Sequence, residues 1–390
     1  MNRSDFLEIH DAAADLLRRQ QRVTRLQAEP AGQPPDREQW RQLAEAGWFR
    51  LLLAEEYGGL GLDAAALGAV FLATGAEPVR GPLLQHAVTV PLLRSLATGG
   101  QAATLDAALE GALLLGVADG DAAGNGVHGG DAVDVVDAVD DPHRMAGVGL
   151  TRGAPGLRLE EGRLRGVAEL VSFGQWAEAL IVVARAAREP VLLLLPADLA
   201  RREPLVCVDP AAAWCRMVFD DVAVAPDAVL LRGAAVTELL ARNRALQRLM
   251  VAAELAGGAA RMVAMSVEYA RTRRQFGRPI GSFQALQHML AEMSAKAAAL
   301  HSLVLATLAD AVAQPGRLTE LGLIAKAQAC RTGRELSQEA LQVHGGIGFT
   351  AELSLHLHMR RVFTHQGQLG ESDALLTELG ERTLNAEEWV

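Results

Sequence analysis

TELLARNRALQRLMVAAELAGGAARMVAMSVEYART, residues 237–272, decides the fold. Alanine, leucine, methionine and arginine dominate it and proline is absent, so its periodicity predicts one helix well beyond the globular average. Two blocks of the same character follow at 282–313 and 318–344, with Pro315–Gly316 as the break between them. Long antiparallel helices of this kind bury in a bundle the face that none can hide alone. Shorter helices are predicted at 351–361 and 372–384.

Working back from the bundle, Leu113–Leu231 changes character. Short Val/Leu-rich runs (Leu113–Val117, Ala179–Val183, Val191–Leu195, Met217–Phe219) stand between Gly, Pro and Asp clusters and predict strands. The acidic stretch Asp119–Asp141 reads as loops and edge strands. Earlier still, Leu43, Ala44, Gly47, Trp48 and Leu51 recur at helical spacing, and AEEYGGLGLD (Ala54–Asp63) is a structured turn that hands over to the apolar run Ala64–Ala73. The order is helices, strands, helices: an α+β chain with an N-terminal α-helical domain (1–115), a central β-domain (116–232) and a C-terminal helical bundle (233–390). A doubly wound sheet is excluded, because it requires strand and helix to alternate throughout.

Composition narrows the function. Among 390 residues, 37 Lys+Arg face 47 Asp+Glu, a net charge of −10 that offers no general attraction to nucleic acid or to an acidic membrane. No run of about 18 uninterrupted apolar residues is present, so no membrane span is expected. The N-terminus mixes acids and bases like an amphipathic helix, which makes the cytoplasm the expected location. Three cysteines (Cys207, Cys215, Cys330) without CxxC spacing support neither disulfides nor zinc, and His356 and His358 fall on different helical faces, so no metal is expected. GxSxG, P-loop and HExxH motifs are absent.

Five stretches, in order, carry a resemblance to the acyl-CoA dehydrogenase family over nearly the whole chain: Leu43–Asp63 with its EEYGG turn, Gly162–Arg185, FDDVAVAPDAVL (Phe219–Leu230), RTRRQFGRPIGSFQALQHMLAEM (Arg271–Met293) and ALQVHGGIGFT (Ala340–Thr350). The resemblance implies a central β-barrel or sandwich, a four-helix bundle, and FAD held between domains and subunits of a homotetramer or of a heterotetramer with a related subunit. It also implies an acyl-CoA substrate and an electron-transfer flavoprotein as acceptor.

FAD asks for cationic forks, close backbone approach and an apolar slot. By resemblance, Arg273 pairs with the pyrophosphate of a neighbouring subunit's FAD, while Gln275, Phe276, Phe283 and Gln284 line the same arm. Gln342 and Gly346 are the matching contacts beside the glycine run. Ser172 falls where the family has a Thr or Ser on the flavin, and Leu170 where it commonly has Trp. The earlier flavin loop, at about Val117–Gly126, carries no recognisable family sequence.

The family's reaction removes an α-proton with a carboxylate while the β-hydrogen leaves as hydride to flavin N5. The position of that carboxylate is Leu369, which cannot accept a proton, though its backbone N–H could still donate to the thioester carbonyl. The family's other base position is Gln247, also neutral. Glu254 lies about 10 Å further along the helix axis, a poor reach. Glu371 is the nearest acid to Leu369 in sequence and could instead cap the following helix. The resemblance thus gives an FAD-dependent acyl-CoA α,β-dehydrogenase. Leu369 opens the alternative of a catalytically silent partner subunit that lends Arg273 and Gln342 to its neighbour. A flavin oxidase or monooxygenase on the same scaffold is the other alternative. Ala252–Ala260 would either leave room for a bulky acyl group or let helices pack closely.

Overall fold

A computed structural model describes residues 3–119, 156–187 and 189–385; most of Asp119–Asp141 and of Val117–Gly126 lies outside the described residues. Helices come first: α1 (Arg3–Arg19), α2 (Arg22–Ala28), α3 (Arg37–Glu45), α4 (Ala64–Ala76), α5 (Val90–Arg94) and α6 (Gly99–Leu109), with a π-turn at Gln85–Thr89 ahead of α5. The EEYGG turn ends in an N-cap: Asp63 Oδ1 accepts from the N–H groups of Ala65 and Ala66 at 3.0 and 3.1 Å, starting α4.

Eight strands form one open mixed sheet among the described residues: β1 (Leu115–Asp119), β2 (Arg158–Glu160), β3 (Arg163–Ser172), β4 (Ala179–Ala186), β5 (Glu189–Pro196), β6 (Arg201–Leu205), β7 (Trp214–Ala223) and β8 (Val229–Arg232). The order is β6-β7-β3-β2-β4-β5-β8, with β1 parallel to β4, so β6 and β8 stand at opposite ends and no barrel closes. The apolar runs of β4 and β5 are uninterrupted because both faces are buried. Leu180, Val182, Leu193 and Leu195 point into the sheet's own core, whereas Ile181, Val183, Leu192 and Leu194 join the helical core. A β-bulge between Ala168 and Val171 breaks the β3–β7 register just before Ser172 and turns the end of β3 toward the helices.

The bundle consists of α7 (Ala234–Thr272), α8 (Gln284–Ala313) and α9 (Leu318–His344), followed by α10 (Leu355–Gly367) and α11 (Ser372–Asn385). A short hairpin, β9 (Arg274–Gln275) and β10 (Arg278–Pro279), joins α7 to α8. By length and hydropathy α7 and α8 would each be able to cross a membrane, but 67% of the apolar window of α7 is buried within the protein, as a core helix requires. The small residues at 252–260 serve close packing: a Cβ on Gly257 would stand 1.9 Å from the Leu72 carbonyl oxygen, and one on Gly75 2.1 Å from that of Glu254. Backbone-to-backbone contact of α4 with α7 therefore fixes the position of Glu254.

Candidate active site and cofactor arm

Where the end of β3, the residues before the π-turn, α7 and α10 converge, a cavity of about 20 Å³ is lined by Ser172, Trp214, Gln85, Glu254, Arg361 and Gln368, among others. That is room for about one water molecule. Buried charge fills the surroundings. Glu254 is 2% exposed; its Oε1 accepts from Arg361 Nε at 2.7 Å, and Arg361 Nη1 donates to Asp209 Oδ2 at 3.2 Å. His365 Nε2 lies 3.1 Å from Glu254 Oε2, poorly angled for a hydrogen bond, while its Nδ1 meets Gln368 Oε1 at 3.0 Å. Burial alone would raise the Glu254 carboxyl, yet the charges of Arg361 and His365 overcome it and hold the group at about 2. A carboxylate so thoroughly ionised and paired is a poor proton acceptor. Glu254 thus borders the cavity in a state unsuited to the role of base.

The loop after α10 is held by two buried cations. Arg248 on α7 donates from Nε to the Leu369 carbonyl at 3.1 Å and pairs through Nη2 with Glu378 at 3.3 Å. Lys326 on α9, fully buried, donates to the Gly370 carbonyl at 2.5 Å and lies 3.6 Å from Cys330 Sγ. Burial lowers the Lys326 ammonium. Leu369 adopts φ 64° and Gly370 φ 105°, the left-handed turn that brings both carbonyls to these cations. Leu369 packs against the helical core. Glu371 is exposed where α11 begins, and its carbonyl accepts from Leu375 N–H at 2.9 Å. Gln247 is buried; its amide donates to Thr89 Oγ1, which donates to Asn243 Oδ1, both at 3.0 Å. This polar bridge ties α7 to the π-turn.

The remaining sequence-derived residues gather elsewhere, at the far end of the bundle. Phe276 (φ 50°) and Gly277 (φ 77°) form the two-residue turn of the β9–β10 hairpin, a geometry that favours glycine at its second position. Phe276 is 91% exposed at the tip. Its ring meets Phe283 edge-on at 6.1 Å, and the Arg278 guanidinium stacks 4.0 Å over Phe283. Arg273, Gln275 and Gln284 are exposed. The Tyr269 and His344 rings lie 4.8 Å apart, bringing the end of α7 beside the end of α9, where Gln342 and Gly346 are exposed and a Cβ on Gly346 would meet nothing.

Fit to a flavin nucleotide therefore differs between the two places. At the bundle end, the exposed Arg273 guanidinium, amide side chains, an aromatic hairpin and open glycines suit the anionic, stackable arm of FAD. Beside Ser172 the residues as they stand do not suit an isoalloxazine: the cavity there holds about 20 Å³ and is bordered by Glu254 and Arg361, a buried ion pair that is costly to break. Sequence reasoning missed Arg361, Asp209, His365 and Lys326. A signal existed for Glu254 and Lys326, each a lone charge inside a small apolar run.

Residues 4–104 match the family profile described as "Acyl-CoA dehydrogenase, N-terminal domain", and residues 238–384 match "Acyl-CoA dehydrogenase, C-terminal domain". The chain is 37% identical to acyl-CoA dehydrogenase IpdE2 of Mycolicibacterium smegmatis over 122 residues, 31% of this chain and 37% of that one. It is 32% identical to acyl-CoA dehydrogenase FadE34 of Mycobacterium tuberculosis over 342 residues, 85% of this chain and 40% of the relative. The matches thus span about two-fifths of these relatives' own lengths. Among solved structures, the ChsE4–ChsE5 complex from Mycobacterium tuberculosis superposes with a TM-score of 0.79 at 21% identity, covering 100% of this chain and 99% of that one. Butyryl-CoA dehydrogenase from Megasphaera elsdenii gives 0.80 at 20% identity, covering 99% of each. With its helices, central mixed sheet and bundle in that fold and both of its helical regions matching, the chain belongs to the acyl-CoA dehydrogenase family.

Proposed function

We propose that this chain is the subunit without a base in a cytoplasmic, heteromeric acyl-CoA dehydrogenase, and that it lends the Arg273 hairpin, with Gln342 and Gly346, to FAD held mainly by a related partner. Bound FAD supplies the hydride acceptor for α,β-dehydrogenation of an acyl-CoA, with an electron-transfer flavoprotein as the onward acceptor. This chain grips the nucleotide end and orients it. The observation that carries the reading is Leu369: an apolar side chain at the family's base position, in a loop whose carbonyls are fixed by Arg248 and Lys326. Gln247 is neutral, and Glu254 is ionised but paired with Arg361, so neither position offers a free carboxylate.

Co-expression with a related subunit that has the Glu tests it. The heteromer is expected to be yellow and to lose its flavin bleaching by acyl-CoA when the partner's base is removed. Arg273→Ala here should lower FAD retention while leaving subunit association intact. Stoichiometric FAD on this chain alone, reduced anaerobically by an acyl-CoA and abolished by Glu371→Gln, would instead make it a dehydrogenase in its own right.

A further inference from the structure

A cavity of about 840 Å³ lies between the start of α6, the start of β4, the end of β5 and the segment 223–229, and shares no lining residue with the cavity at Ser172. That volume falls within the roughly 300–1,000 Å³ of ligand sites. Its walls are largely apolar, with Leu113, Pro196, Leu199 and Ala225 among them. It opens where the sheet loses a strand. β8 pairs with Val191–Leu193 of β5 and begins at Val229, whereas β4 pairs with the other side of β5 as far as Pro196. Residues 194–196 therefore form an edge with no strand beside it, and that edge lines the cavity.

Hydrogen bonds on the two sides of β5 fix the direction of its main chain. Gly233 N–H donates to the Pro190 carbonyl on the β8 side, and Ala197 N–H donates to the Glu178 carbonyl on the β4 side. Even-numbered residues of β5 thus face the β8 side, so Leu194 N–H and the carbonyls of Leu194 and Pro196 point toward the cavity. The side chains of Leu194 and Leu195 enter the helical and the sheet core, which leaves main chain at the edge. Across the slot, α6 begins with Gly99 and Gly100, where an added Cβ would meet nothing. The nearby carbonyls of Asp227 and Val229 are already met by Gln101 Nε2, at 2.6 and 3.2 Å. Both charged side chains on the cavity are acidic. Glu178 Oε2 accepts from Arg37 Nη1 and from Leu114 N–H, each at 2.9 Å, while Asp227 carries no ion pair among the described residues. An open strand edge beside an apolar slot is read by an extended peptide, and the acidic lining favours one that brings a cation.

We propose that this slot takes an extended segment of another polypeptide, which adds to β5 in line with β8 through Leu194 and Pro196 and sets a lysine or arginine against Asp227. A dye-labelled, capped pentapeptide of valine and threonine with a central lysine, titrated into the full chain and followed by fluorescence anisotropy, tests it. Saturable binding is expected. N-methylation of every peptide residue keeps the side chains but removes the donors, and should weaken binding at least about tenfold. Asp227→Asn should weaken the lysine peptide about threefold and leave a glutamine version unchanged. Gly100→Leu has open space for its side chain, so it should unfold at the parent's midpoint yet fill the slot and abolish binding. No saturable binding, equal binding of the N-methylated peptide, or undiminished binding to Gly100→Leu or of the lysine peptide to Asp227→Asn overturns the proposal.

Discussion

Replacing Arg361 with Met removes the one guanidinium shared by two buried carboxylates, Glu254 at 2% and Asp209 at 1% exposure. Breaking a buried ion pair from one side costs about 3–5 kcal/mol. Proton linkage gives an independent figure. A carboxyl lowered from 4.5 to about 2 in the folded protein contributes roughly 3 kcal/mol at neutral pH. Because the folded value is depressed, this contribution is complete above pH 4.5 and is lost as the pH falls toward 2. Without Arg361 the sign reverses: burial then dominates, the carboxyl rises above 4.5, and protonation on acidification relieves the unpaired charge. The variant's deficit should therefore be largest at pH 7 and shrink toward pH 5. Calorimetric midpoints of both proteins across that range measure it, and Glu254→Gln added to Arg361→Met should recover part of the loss. A deficit below about 1 kcal/mol, or one that stays constant from pH 7 to pH 5, would refute the assignment of this network.

Burial holds the imidazoles of His86 and His358 at about 4, and both are neutral donors to backbone carbonyls, of Ala108 and Gly75. The unfolded chain takes up protons first, so stability should fall from about pH 6.5 to 4, by up to roughly 3 kcal/mol per histidine, and His358→Asn should flatten that slope in acid titrations of the unfolding midpoint. Phe276→Asp, at a hairpin tip, should leave the chain's own midpoint unchanged while reducing co-purification of a partner subunit and FAD; unchanged co-purification would count against the arm. Gly257→Ala forces α4 and α7 apart and should cost about 1–3 kcal/mol by chemical denaturation.

The helical part of the fold was legible because its signals are local and long. α7 (Ala234–Thr272), α8 (Gln284–Ala313) and α9 (Leu318–His344) coincide closely with the periodic blocks, and Pro315–Gly316 falls between the last two. β4 and β5 were legible as apolar runs, but the path of the sheet was not: the pairing of β1 with β4 joins residues far apart in sequence, and an open sheet and a barrel share the same strand pattern. The hairpin segment Arg273–Gln284 and the glycine run after Gln342 stood out because each is a contiguous stretch that resembles a family motif. The charge network did not. Arg361 meets Glu254 across 107 residues and Asp209 across 152, and each alone reads as an ordinary surface charge. Only the setting of Glu254 in VAAELAGG hinted that a carboxylate was heading into the core and would need a cation there.

Helix α7 also acts as a ruler. Arg248, which fixes the Leu369 loop, and Glu254, which borders the cavity at Ser172, lie along it, and Arg273, which leads into the hairpin, caps its C-terminal end. From Glu254 to Arg273 the axis advances by about 28 Å. An extended FAD is shorter than that, so a single cofactor cannot have its flavin beside Ser172 and its pyrophosphate on Arg273 of the same chain. Under the proposed function, the hairpin serves a nucleotide that enters from another subunit. A chain that kept its own flavin slot would need both ends open for two different cofactors. Here the Ser172 end is bordered by paired charge and the Arg273 end is left exposed, an asymmetry that fits the proposed role of an arm-giving subunit.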